Sequence, residues 1–313
     1  MIAAMSADRR GFLSLAAMGA GALATGAGRV RAAGRPLRLA CSQYSWDVFY
    51  RREGKILAEH WDAALAEMAA VGFTGLEPLV ESPADLATLG PLLREHGLEM
   101  RSLYVNSVLH DPDRVERSLS DVLAIARAAR PLGVEVVVTN PSPIRWGGPE
   151  NKTDAQLEAQ AGALDRLGRE LAALGMQLAY HNHDAELRLA ARELHHMLAG
   201  TDPRHVRFCL DAHWVYRGAG DSQVALFDVL RLYADRVVEI HVRQSQRGVW
   251  SETLGDGDVD YRRLVRALVE RGRRPHVVLE AAVENGTPST LGVVEAHQRS
   301  VDYARRALAP LAL

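Results

Sequence analysis

A single (β/α)8 barrel is the fold class this sequence predicts, and three observations predict it. Short apolar runs alternate with longer amphipathic stretches from Pro36 to the C-terminus, with no low-complexity linker and no charge block. Eight such units occupy roughly 270 residues, the ordinary size of one barrel. The runs are continuously apolar rather than alternating, as in a parallel sheet covered on both faces.

The predicted strands are Leu37 to Ser42, Gly75 to Leu79, Glu99 to Val105, Val134 to Asn140, Gln177 to His183, Val206 to Asp211, Val237 to Arg243 and His276 to Ala281. The first leads into Cys41-Ser42-Gln43-Tyr44-Ser45-Trp46. A doubly wound open sheet, the competing fold, would carry a glycine-rich phosphate loop there. The spacing next predicts a helix over Ile56 to Val71, with Ile56, Leu57, His60, Trp61, Ala64, Leu65 and Met68 on one face. Gly72, Gly97, Gly133 and Gly175 stand just ahead of strands two to five, where a left-handed helix cap is wanted. Gly255 to Gly257 form a turn into the helix that precedes the last strand.

The first 32 residues read as an export signal rather than as part of the fold, leaving the barrel to residues 33–313. Asp8-Arg9-Arg10-Gly11-Phe12-Leu13 precedes an uncharged run from Ser14 to Gly28 and then Val30-Arg31-Ala32, a pattern similar to a bacterial twin-arginine signal. The twin-arginine translocation machinery is then the expected partner, and the periplasm or the exterior the expected location. An uncleaved anchor is the alternative, but the run is short for a span of about 20 strongly apolar residues. No later segment is apolar enough for stable membrane insertion. The whole chain carries 37 basic and 39 acidic residues; without the signal these become 33 and 38, a net of −5. That balance argues against nucleic acid as a partner. Cys41 and Cys209 do not make a disulfide framework.

In a barrel the chemistry sits at the C-terminal ends of the strands, and only one parity of each strand faces the axis. That parity collects Ala179, His181 and His183 on strand five, Cys209, Asp211 and His213 on strand six, Glu239, His241 and Arg243 on strand seven, and His276, Val278 and Glu280 on strand eight. A lone histidine at a strand end is ordinarily structural, Asp211 alone could cap a loop, and Glu280 alone could serve a salt bridge. Four consecutive strands each ending in a metal-ligand type point instead to a shared divalent ion, because converging buried charges need a partner.

These residues resemble the xylose isomerase-like barrels, a family of sugar isomerases and epimerases, inosose dehydratases and endonuclease IV. The resemblance rests on Gly72-Phe73-Thr74-Gly75-Leu76-Glu77-Pro78, Leu178-Ala179-Tyr180-His181-Asn182-His183-Asp184, Phe208-Cys209-Leu210-Asp211, Glu239-Ile240-His241-Val242-Arg243, Leu254 to Tyr261 and Val278-Leu279-Glu280, in that order. It implies one divalent ion held by residues of strands five to eight, matched here by Asp211, His241 and Glu280. On strand five a histidine replaces the usual glutamate, with His181 favoured over His183 by the motif. Two carboxylates and two imidazoles shift preference from Mg2+ toward Mn2+, Co2+, Zn2+ or Fe2+. The additional ligands of the three-zinc nucleases are not recognisable.

The resemblance further implies proton movement next to a carbonyl through an enediolate, with Glu280 as first choice of base, Glu186 as a second acid or base, and His183 in contact with substrate. Trp46, Glu77, Tyr104, His213 and Arg243 are expected to line the mouth or hold hydroxyls. Gln244 and Ser245 stand where many relatives supply an acid. The expected function is isomerisation or epimerisation of a free sugar or ketosugar. The alternatives are a lyase or dehydratase on a keto-sugar, keto-glycoside or inosose, and a non-catalytic periplasmic sugar-binding barrel. Relatives are often oligomers, so a homo-oligomer is a further expectation.

Overall fold

The computed structural model describes residues 36–312; the predicted signal over residues 1–32 lies outside the described residues. Eight parallel strands form the barrel: β1 (Leu39–Ser42), β2 (Gly75–Glu77), β3 (Ser102–Tyr104), β4 (Val136–Thr139), β5 (Gln177–His181), β6 (Val206–Asp211), β7 (Val237–Val242) and β8 (His276–Leu279). Continuous ladders run from β2 through β1, β8, β7, β6, β5 and β4 to β3. The seam between β2 and β3 closes through isolated bridges, Gly75 with Glu99 and Leu79 with Tyr104. Gly75 is required there: a Cβ at this position would stand 2.5 Å from the Glu99 carbonyl oxygen. The barrel is therefore a single domain with the expected architecture. No helix among the described residues is long and apolar enough to cross a membrane.

The four glycines expected to cap helices adopt the left-handed conformation, with φ of 99° at Gly72, 66° at Gly97, 91° at Gly133 and 76° at Gly175. A side chain at such φ is strained, so glycine lets the chain leave each helix and turn toward the strand that follows. Between β1 and β2 the expected single helix over Ile56 to Val71 is broken. A 3-10 turn (Leu57–Glu59) precedes helix Trp61–Val71, and the intervening His60 has φ −133°, outside the helical range. Ile56 and His60 consequently lie in solvent, while Leu57, Ala64, Leu65 and Met68 remain buried.

The main core lies between the strands and the surrounding helices, as the apolar strand runs require. Inside the barrel, Val136, Val138, Ala179 and Cys209 form a small separate apolar cluster. Beside it, with Ser102 level with Val136 and Glu239 level with Cys209, and above it, polar residues replace the branched aliphatic layers that usually fill a barrel. Glu77, Ser102, Glu239 and His241 are all buried.

Helix α1 (Gln43–Arg52) begins directly after β1, and helix α10 (Val293–Ala307) closes the chain against it. Between them His297 is buried, 4.6 Å from the Trp46 ring centre, and its Nδ1 donates to the Val293 carbonyl at 2.7 Å. Burial pushes the His297 pKa down from 6.5 to about 4. Between these values the unfolded chain binds a proton that the folded chain does not, so stability falls as pH drops through that window and is fully present above it. The expected loss is roughly 1.4 kcal/mol per pH unit. Urea unfolding of metal-free protein at pH 7 and pH 4.5 measures it, and His297→Phe should remove this share of the acid sensitivity.

Candidate active site

Four strand ends build the floor of the site. His181 ends β5, Asp211 ends β6, His241 is the penultimate residue of β7, and Glu280 follows β8 directly. Ladder register aligns them, with Asp211 opposite His241 and His241 opposite Val278, two residues before Glu280. One ligand atom from each of the four lies within 4.8 Å of the others. The convergence follows from strand parity: every second residue of adjacent parallel strands points to the axis at the same end of the barrel.

Each side chain is oriented from behind. Asp211 caps the next helix, α7 (Ala212–Gly218), its Oδ1 accepting the Trp214 N–H at 2.8 Å, which turns Oδ2 toward His181 Nε2 at 3.9 Å. His241 Nε2 lies 3.0 Å from Glu77 Oε2 and 3.3 Å from Glu239 Oε1, so the proton on Nε2 is claimed by carboxylates. Nδ1 is thereby directed into the group, 3.4 Å from Glu280 Oε2. A carboxylate behind a histidine is the usual way a metal-ligating tautomer is set. Burial opposes a charge on His241, but Cys209, Glu77 and Glu280 outweigh it and hold its pKa well above the usual value. Neither ring nitrogen of His181 has a hydrogen-bond partner, although the residue is fully buried. An orphaned imidazole in a closed interior is costly unless something binds it. The donor set therefore fits a divalent ion held by His181, Asp211, His241 and Glu280.

Arg243 crosses this group. Its Nη2 pairs with both Asp211 Oδ2 and Glu280 Oε2, and its guanidinium sits over Trp214 at 5.0 Å and Trp250 at 5.2 Å. Burial disfavours the Glu280 charge, but Arg243 and His241 override it and keep the carboxyl well below its usual range. For Asp211 burial prevails over Arg243, raising its pKa to about 6.

A cavity of about 360 Å³ opens above the group, with Glu77, Arg243 and Glu280 reaching its floor and Tyr44, Tyr104, Asn106, Trp146, His183 and Trp214 in its walls. The His183 ring sits between Trp146 at 5.2 Å and Trp214 at 5.6 Å, and 4.8 Å from His181. Burial lowers its pKa to about 4, so it is neutral near pH 7 and can accept or share a proton. Of the two strand-five histidines, His181 joins the four-residue group and His183 faces the cavity.

Trp46 and His213 stand elsewhere than expected. Trp46 is fully buried against His297, because α1 starts immediately after Ser42 and turns it into the core; Tyr44, 42% exposed, takes the mouth instead. His213 is buried on α7 with Nε2 2.9 Å from Ser245 Oγ, behind the wall that Trp214 forms. Strand parity ends at Asp211, where the helix begins.

Glu186, expected as a second acid or base, lies in a buried 3-10 turn (Ala185–Leu187) under the cavity loop. Its Oε2 accepts the His183 N–H at 2.6 Å and its Oε1 accepts from Asn140 Nδ2 at 3.1 Å. Burial and Glu193 raise its pKa to about 7. It holds the His183 backbone. Glu186→Ala is expected to destabilise the fold by about 1–3 kcal/mol in urea unfolding, by orphaning that N–H.

Tyr44, Asn106, Trp146 and Trp214 were not singled out by the sequence pattern. Their one legible signal is position: aromatic or amide side chains in the segments that follow β1, β3, β4 and β6.

Comparison with known proteins agrees with this architecture. The pattern of the family described as "Xylose isomerase-like TIM barrel" matches residues 65–306. The inosose dehydratase of Geobacillus kaustophilus is 25% identical over 277 residues, covering 79% of this chain and 87% of its own. Among solved structures, a sugar phosphate isomerase/epimerase from Parabacteroides distasonis superposes with a TM-score of 0.70 at 18% identity, covering 93% of this chain and 99% of its own. D-psicose 3-epimerase from Clostridium cellulolyticum does so with a TM-score of 0.68 at 16% identity, covering 87% and 99%. At such identities the structural matches speak to the fold. By the family match across most of its length, this chain belongs to the xylose isomerase-like TIM barrel family.

Proposed function

We propose that this protein is a divalent-metal-dependent sugar isomerase or epimerase, acting on a free sugar or ketosugar through an enediolate. The observation that carries the reading is the group of His181, Asp211, His241 and Glu280, gathered within 4.8 Å beneath an aromatic-walled cavity. A bound divalent ion would supply Lewis acidity that makes a proton next to the substrate carbonyl easier to remove. The two-imidazole, two-carboxylate set favours Mn2+, Co2+, Zn2+ or Fe2+ over Mg2+.

Glu280 is ionised at neutral pH and reaches the cavity, so it can take the proton from carbon. Arg243, freed from Glu280 as substrate enters, holds a substrate oxygen. Glu280 can return the proton it took at the neighbouring carbon, or His183, neutral on another wall, can relay a proton to the opposite face by taking one on one ring nitrogen as it gives one from the other. Tyr44, Tyr104 and Trp214 exclude water and offer flat surfaces to the sugar.

A lyase acting on an inosose or keto-sugar is the second reading, supported by the similarity to inosose dehydratases over most of their length. There the proton that Glu280 takes from carbon would pass to the departing hydroxyl, which leaves as water. Proton exchange into substrate in D2O, followed by NMR on protein loaded with Mn2+ or Co2+, tests the shared first step. Exchange with return of a sugar supports isomerisation or epimerisation, and an unsaturated absorbing product supports the lyase. Protein that neither retains a divalent ion nor exchanges protons would be a binding barrel. The Arg9-Arg10 signal supports a periplasmic or secreted location, tested by fusing residues 1–35 to a reporter that is active only after export.

A further inference from the structure

A second cavity lies on the far side of the central cavity's aromatic wall. Asn106 and Trp146, which bound one side of the central cavity, also line this second one, of about 630 Å³, running outward along the segment between β3 and the next helix, α4 (Val115–Ala129). Trp146 is 55% exposed, with one edge against His183. The segment that carries it is nevertheless pinned on both sides. Lys152, its side chain 1% exposed, reaches the Pro141 carbonyl at 3.1 Å and Glu193 at 2.6 Å; Arg188 donates to the Gly148 carbonyl at 2.8 Å; the Ser142 N–H donates to the Ser107 carbonyl at 2.8 Å. Glu193 pairs the buried lysine, and these contacts fix a loop that presents the Trp146 ring at the boundary of the two cavities.

The groove beyond Trp146 is polar, and its charges offset one another: Arg114 and Arg117 stand with Asp113 and Asp121. That balance suits a neutral hydroxylated ligand and gives no net attraction to a phosphate or carboxylate. The central cavity, about 360 Å³, is near the lower end of the roughly 300–1,000 Å³ typical of small-molecule sites, room for one sugar ring. A free sugar would leave the groove unused.

We propose that Trp146 and this groove form a second subsite, and that the substrate is, rather than a free sugar, a keto-glycoside whose reacting ring carries the carbonyl. The reacting ring lies against Glu280 and His183, and its neutral sugar or polyol substituent crosses the Trp146 indole into the groove. This rests on the sugar chemistry proposed for the central site.

Titration calorimetry on the Mn2+-loaded protein, with D-glucose, maltose, cellobiose, sucrose and trehalose as probes, tests it. At least one disaccharide should bind about tenfold tighter than D-glucose, about 1.4 kcal/mol. Ser142→Trp, which fills the groove, and Trp146→Ala, which removes an exposed ring at little risk to the fold, should each bring that ratio close to one. Equal binding of D-glucose and every disaccharide, or a ratio untouched by both substitutions, overturns the subsite and leaves the central sugar site standing. Failure of every sugar to bind overturns both.

Discussion

Glu280→Gln is expected to lower the rate of substrate proton exchange by about 10³-fold while leaving the barrel folded. The substitution keeps the volume of the side chain but removes the charge that accepts a proton from carbon, and general acid–base groups typically contribute 10²–10⁴-fold. Exchange in D2O measured by NMR, with circular dichroism as the check on folding, reads the effect directly. The fold should survive because Arg243 keeps its second partner, Asp211, and Glu280 stands after the last residue of β8 rather than within its ladder. Exchange at the parent rate would remove Glu280 from the catalytic group.

Arg243→Gln should produce the other large effect, on stability. The guanidinium is the only charge-neutralising partner within reach of both Asp211 and Glu280 among the described residues apart from the imidazoles, and all three side chains are largely buried. Removing one member of a buried ion-paired set leaves uncompensated charge and typically costs about 3–5 kcal/mol. Because the same carboxylates belong to the four-residue group, Mn2+ or Co2+ should recover much of that loss. A ligand present at one hundred times its Kd contributes about 2.7 kcal/mol. Urea unfolding of the variant with a chelator and with added metal separates the two contributions. Identical unfolding under both conditions would show that the carboxylates do not hold the ion.

The legible part of the site coincides with extended backbone. On β5 to β8 every second residue must face the axis, so the alignment of His181, Asp211, His241 and Glu280 is legible in apolar runs and parity alone. The reading failed where strand gives way to helix without a linker. At Ser42 and at Asp211 a helix starts at the next residue, and a turn of about 100° per residue replaces the alternation of about 180°. Trp46 and His213 were carried inward by that change, and Tyr44 and Trp214 were carried to the cavity.

The sequence by itself determined the barrel, because glycine caps, strand lengths and continuous apolar runs are local properties that each segment expresses alone. It also determined which side chains could converge on the axis. Only the tertiary structure decided what those side chains touch. Glu77 on β2 orients His241 on β7 across the closed barrel, Arg243 spans Asp211 and Glu280, and Trp146 borders two cavities. These contacts depend on barrel closure and loop anchoring, which bring together residues far apart in the chain and leave no periodic trace in it.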